Sequence, residues 1–231
     1  MLNGIKYVRK GLSEILFPSV CSVCGHALSS AEAHVCNFCI RNKFELASSG
    51  NASTSDVILP EGIEVQYALW NFDKGGYLQD LLHDLKYNRL TGIGTDMGKA
   101  LANQFRKHHT VDPGSTILLP VPLHPAKFRK RGYNQAFYIA LGMKKIMGIP
   151  IVKPADVIRI KNTKTQTGFS LEKRRENINK AFEIRNPEAI TGKTCIIVDD
   201  VFTTGATTFE LAGELINVGA GKIMITTVAQ A

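Results

Sequence analysis

Strands that alternate with helices from Val65 to Val228 predict an α/β fold: a mostly parallel sheet with helices on both faces, preceded by a small zinc-ribbon-like module. Three observations carry this expectation. Cys195-Ile196-Ile197-Val198 is a short apolar run bounded by polar sequence, as a strand buried on both faces requires. Leu78, Leu81, Leu82 and Leu85 recur at helical spacing after a glycine turn. Four of the five cysteines fall between Cys21 and Cys39, which separates the amino-terminal part from the rest.

In order, Leu2, Ile5, Val8, Leu12 and Ile15 place an amphipathic helix over residues 2–17, with Lys6, Arg9 and Lys10 on its other side. Such a helix can lie on a membrane or dock a partner, although packing on its own protein is the commoner fate. Cys21-x-x-Cys24 and Cys36-x-x-Cys39, eleven residues apart, form two knuckles. Each can place two thiolates on one metal, and together they complete the tetrahedral sulfur shell that suits Zn²⁺. A closed site of this kind is structural. His26 and His34 are expected as bystanders, and a redox role would need only one such pair.

Residues 47–56 lack apolar periodicity and are rich in Ser, Gly and Asn, so the sequence divides into residues 1–50, helix and zinc module, and residues 57–231, the α/β domain. In the second part, strands are expected at Val65–Trp70, Ile117–Leu119, Val157–Ile160, Cys195–Val198 and Ile223–Val228. Helices are expected over Leu78–Lys86, Gly94–His108 and, opened by Gly132-Tyr133-Asn134-Gln135-Ala136, through Met147, and after Gly205. Pro120, Pro122 and Pro125 take the chain out of the sheet into a loop. Lys161–Glu176 is polar, basic and weakly patterned, as a flap that closes over a site would be.

The formal charge of +8 suits a polyanionic ligand, or simply a solvated basic surface. No run reaches the roughly 18 uncharged apolar residues of a membrane span. The first residues lack the continuous apolar stretch and cleavage site of a signal peptide, so a cytoplasmic protein is expected.

Chemistry is expected at Val198-Asp199-Asp200-Val201-Phe202-Thr203-Thr204-Gly205-Ala206-Thr207. Gly205 permits a tight turn, and the N–H groups of residues 203–207 then converge at a helix N-terminus, a ready cradle for phosphate. Thr203, Thr204 and Thr207 add hydroxyl donors. Asp199 and Asp200 would repel that phosphate but accept hydrogen bonds from sugar hydroxyls, so the pair suggests a sugar phosphate. The plainer reading is a helix cap with acids beside its dipole.

Residues 195–207 resemble the 5-phosphoribosyl-1-pyrophosphate (PRPP) signature of type I phosphoribosyltransferases. The paired CxxC knuckles, Leu85-Lys86-Tyr87, Pro120-Val121-Pro122-Leu123-His124-Pro125 and Arg131-Gly132-Tyr133-Asn134-Gln135-Ala136 resemble the ComF (competence protein F-like) family within that group. Thr165-Gln166-Thr167, Arg175, Asn177, Ala181 and Phe182 extend the likeness, whereas residues 167–171 depart from it. The resemblance implies that Asp199 and Asp200 hold the ribose hydroxyls and that Val198, Val201 and Thr203–Thr207 belong to the PRPP loop. It implies a pyrophosphate loop over Pro122–Lys127, with Lys127 and Arg131 facing the leaving group. It implies Mg²⁺ carried with PRPP, and a nucleobase or other acceptor. It also implies a link to DNA uptake in natural transformation, which leaves three expectations open. These are a transferase, a PRPP or nucleotide sensor acting through a competence helicase or similar partner, and a single-stranded DNA-binding accessory.

Overall fold

The computed structural model describes residues 18–47, 58–162 and 180–231. The expected helix at 2–17, nearly all of the linker and most of the flap at 161–176 lie outside these residues.

Four parallel strands form the main sheet: β1 (Ile63–Asn71), β2 (Thr116–Pro120), β5 (Thr194–Phe202) and β6 (Lys222–Gln230), in the order β1-β6-β5-β2. Their side chains alternate between two cores, as period-2 geometry demands. Tyr67, Leu69, Leu118, Ile196, Val198 and Met224 pack with helices α2 (Tyr77–Tyr87), α3 (Thr91–His108) and α5 (Gln135–Met147). On the other face Ile117, Leu119, Cys195, Ile197, Ile223 and Ile225 pack with Leu211, Ala212 and Leu215 of α6 (Ala206–Asn217). Burial on both faces explains why Cys195–Val198 reads as continuous apolar sequence; all four are 0% exposed.

Helices α3 and α5 meet through glycines. A Cβ on Gly142 would lie 2.2 Å from the Thr95 carbonyl oxygen, and one on Gly98 would lie 2.0 Å from that of Ile139. The two backbones therefore touch where a side chain would hold them apart.

Past α5 the chain returns beside β2, where the Leu118 amide donates to the Pro150 carbonyl at 2.8 Å and the Val152 amide to the Leu118 carbonyl at 2.9 Å. The connection leaving β2 thus runs outward over one face, while the connection leaving β5 runs through α6 over the other. The crevice between the carboxyl ends of β2 and β5 is the switch point of the sheet, where ligands of open α/β sheets bind.

Three sequence expectations are corrected here. The loop expected over Pro122–Lys127 ends early: a helix, α4 (Pro125–Arg131), begins at Pro125, since Pro125 suits the first turn and the His124 Nδ1 accepts the Ala126 amide at 3.2 Å. The strand expected at Val157–Ile160 is β3 (Val157–Arg159), which leaves the main sheet and pairs antiparallel with β4 (Phe182–Ile184). Strand β5 does not stop at Val198; it runs to Phe202, because β6 continues beside it after β2 has ended.

The cysteine module packs onto the first core. Asp96 of α3 is 1% exposed, and its Oδ2 accepts the amides of Ala33, His34 and Val35 at 2.8, 2.8 and 3.2 Å. Lys99 Nζ bridges Asp96 Oδ1 at 3.1 Å and the Ala31 carbonyl at 2.6 Å. Leu46 then pairs antiparallel with Trp70, adding a short rung to the outer edge of β1. A short helix, α1 (Asn37–Asn42), starts at Cys36.

Candidate functional site

Two groups of side chains stand out. The Sγ atoms of Cys21, Cys24, Cys36 and Cys39 all lie within 4.8 Å of one another, and Cys24 and Cys36 are 3.7 Å apart. Thiolates about 2.3 Å from a tetrahedral zinc stand about 3.8 Å from each other, so this set fits such an ion. Amides support the sulfurs: those of Val23 and Cys36 point to Cys21 Sγ, each at 3.4 Å. Burial opposes ionisation of Cys21, but hydrogen bonds from backbone amides of Cys36, Cys24 and Val23 outweigh it and bring the thiol to about 6. Burial raises Cys36 and Cys39. The four cysteines could hold a metal such as zinc, and no other such group of three or more His, Cys, Asp or Glu side chains occurs among the described residues. The fifth, Cys195, lies in β5, where burial pushes its thiol up to about 12.

The second site is built at the carboxyl end of β5. Asp199 and Asp200 are consecutive strand residues, so their side chains leave on opposite faces. Asp200 points to the helices of the first core. Lys86 Nζ at the end of α2 contacts its Oδ2, and Gln135 Nε2 at the start of α5 approaches its Oδ1 at 3.5 Å. Burial raises Asp200, but the Lys86 ammonium outweighs this and holds the carboxyl below its ordinary value. Asp199 points to the side of Cys195 and Ile197; burial, then the Asp200 charge, push it well above its ordinary value. Its Oδ1 accepts the Asp200 amide at 2.9 Å.

After Phe202 the chain turns through Thr203 and Thr204 to Gly205, whose φ of 72° is left-handed, and α6 begins. A Cβ there would lie 2.4 Å from the Phe209 ring and 2.8 Å from the Phe202 ring, so glycine is required twice over. Thr203 is exposed, while Thr204, Ala206 and Thr207 are half-buried. The first-turn amides of α6 have no acceptor within the helix and open beside Thr203–Thr207. The Val121 amide donates to the Val198 carbonyl at 2.9 Å, which ties the chain leaving β2 to the strand that carries the acids.

The cations gather around this end. Burial, then the charges of Arg159 and Arg131, lower Lys127. Arg159 of β3 lies over the Phe182 ring at 5.3 Å and feels the Asp199 charge. Arg131 lies over the Tyr87 ring at 5.5 Å, and its Nη1 donates to Gln135 Oε1. Asp199, Asp200, Lys127 and Arg131, singled out from the sequence, therefore share one region with the threonine loop. Sequence reasoning gave no role to Lys86, Gln135 or Arg159. Lys86 falls in the Leu85-Lys86-Tyr87 motif, which was the available signal, but a basic residue in a helix's last turn reads as dipole compensation.

A groove of about 730 Å³ lies elsewhere, lined by Arg41, Leu46, Trp70, Asn103, Arg106 and Lys107, and it contains neither acid of the pair. The acid pair and the cations around it lie instead at the carboxyl end of β5.

The chain is 26% identical over 219 residues to the DNA utilization protein YhgH of Salmonella typhi, covering 90% of this chain and 95% of that protein. It is 34% identical over 115 residues to competence protein F of Haemophilus influenzae, covering 49% of this chain and 50% of that one. The chain is a relative of the ComF and YhgH proteins. Competence protein ComFC of Bacillus subtilis is 23% identical over 192 residues, covering 81% of this chain and 74% of that protein. No family model matches the chain. Among solved structures, a glutamine PRPP amidotransferase from B. subtilis aligns with TM-score 0.40 and 19% identity over 60% of this chain and 26% of that one. A purine phosphoribosyltransferase from Pyrococcus horikoshii Ot3 aligns with TM-score 0.34 and 20% identity over 59% of this chain and 73% of that one. No helix among the described residues is long and apolar enough to cross a membrane.

Proposed function

We propose that the chain binds PRPP in the β2–β5 crevice and transfers its phosphoribosyl group to an acceptor, releasing pyrophosphate. The observation that carries this reading is the order acid pair, glycine turn, helix N-terminus at the end of the central strand β5. Carboxylates accept ribose hydroxyls, and the amides and hydroxyls of Thr203–Thr207 receive the 5-phosphate. Lys127 and Arg131 lie in the same cationic region and suit the pyrophosphate. In the reaction the bond from ribose C1 to pyrophosphate breaks, an acceptor lone pair forms the new bond, and the pyrophosphate leaves with the electron pair. Cations placed where that negative charge accumulates lower the barrier. Mg²⁺ carried with PRPP would further neutralise the pyrophosphate while keeping most of its waters. Zn²⁺ in the cysteine module would be structural and stand outside this chemistry.

The names of the relatives suggest that the activity serves the handling of incoming DNA. They also give weight to a second reading, a PRPP sensor without turnover that acts through a competence partner. Pyrophosphate release from PRPP, assayed across a panel of bases and nucleosides, decides between them. Release stimulated by one acceptor supports the transferase, binding without release supports the sensor, and neither binding nor release overturns both.

A further inference from the structure

The acid pair is not symmetric. Both oxygens of Asp200 are already engaged, Oδ2 by Lys86 and Oδ1 by Gln135. The Asp200 side chain is 8% exposed and that of Lys86 26%, so the pair is formed largely out of water. Its position is over-determined. Gln135 is held through Oε1 by Arg131, which lies against Tyr87, and the Tyr133 hydroxyl donates to the Leu85 carbonyl. Leu85, Lys86 and Tyr87, the last turn of α2, are thus each tied either to Asp200 or to the corner that opens α5.

We propose that Lys86 takes the place of a metal ion at Asp200, so that the chain grips the diol of a ribose phosphate through a carboxylate neutralised by its own ammonium. This rests on the ribose-phosphate reading above. A carboxylate has about four acceptor sites. Lys86, Gln135 and the neighbouring Asp199 carboxyl use three of them, which leaves one for a hydroxyl donor of a ribose diol. A divalent cation on Asp200 would stand against the ammonium at contact distance, and like charges in a site this buried repel strongly. The residues therefore do not fit a divalent ion on this carboxylate; a cation travelling on the pyrophosphate oxygens is a separate matter. Lys86 is a positioning residue for Asp200.

Calorimetry with ribose 5-phosphate, which has the diol and phosphate but no pyrophosphate, tests this on the full chain. The wild type should bind equally in excess EDTA and in millimolar Mg²⁺. Lys86→Met should weaken binding in EDTA by about tenfold or more, the scale of a lost charge-assisted hydrogen bond. Added Mg²⁺ should restore part of that loss, and Lys86→Arg, which keeps the charge, should bind within about threefold of wild type. Lys86→Met combined with Asp200→Asn leaves no buried charge unpaired, so it folds even if the single variant does not, and it should bind as weakly. Wild-type affinity in either methionine variant overturns the proposal, as does a tenfold gain of wild-type affinity on adding Mg²⁺. If the wild type binds PRPP but not ribose 5-phosphate, the carboxylate grip is overturned while the PRPP reading stands. If it binds neither, the ribose-phosphate reading itself falls.

Discussion

Asp199 and Asp200 are neighbours in sequence with opposite electrostatics. Asp200 is paired with Lys86 and held below its ordinary value, so it contributes stability above the pH at which the unfolded carboxyl titrates, and that stability is lost as pH falls through the lowered folded value. Asp199 is raised by burial and by Asp200, so its ionisation destabilises the unliganded fold as pH rises from the ordinary carboxyl range through the raised value. Denaturant unfolding at pH 7 should therefore show Asp199→Asn to be more stable than wild type. Asp200→Asn should be less stable, by on the order of 2 kcal/mol, the scale of a buried partner left unsatisfied. Equal shifts of one sign in both variants would refute this asymmetry. The two acids were legible in sequence as a pair because they follow an apolar strand. Their difference was not, because Lys86 and Gln135 are brought to Asp200 by tertiary structure from more than 60 residues away.

At the scale of elements, the helices depend on close approach. Gly98 and Gly142 let α3 and α5 touch at their backbones. Gly142→Val should force α5 away from α3 and cost about 3 kcal/mol or more, as overpacking of a tight contact does, with the Tm falling accordingly. A change within experimental error would mean that the contact yields freely. The apolar strands and the leucine-patterned α2 were readable because period and composition agree. Helix α4 was not, since three prolines in six residues argue for a loop until the His124 cap and Pro125 at the first turn are seen together. Strands β3 and β4 have three residues each and carry too little pattern to reveal their pairing or their departure from the main sheet.

At the scale of the molecule, the cysteine module and the parallel sheet are joined through Asp96. Its Oδ2 takes three consecutive amides of the module, and its Oδ1 holds Lys99. Asp96→Ala strands these donors and should cost about 3 kcal/mol. Protein loaded with zinc should then release it to a chelator several-fold faster than wild type, whereas unchanged release would show that the module stands alone. CxxC spacing made the four-cysteine cluster readable from sequence, but the latch was hidden, because one acid within a helix carries no mark of what it binds.

The central claim is that the end of β5 holds PRPP, and calorimetry of PRPP with Mg²⁺ on wild type and on Asp199→Asn/Asp200→Asn is its most direct test. The wild type should bind with a one-to-one stoichiometry. The double variant, with its circular dichroism unchanged, should lose binding by at least about a hundredfold, the loss of two charge-assisted hydrogen bonds. Equal affinity for PRPP in the two proteins would contradict the account.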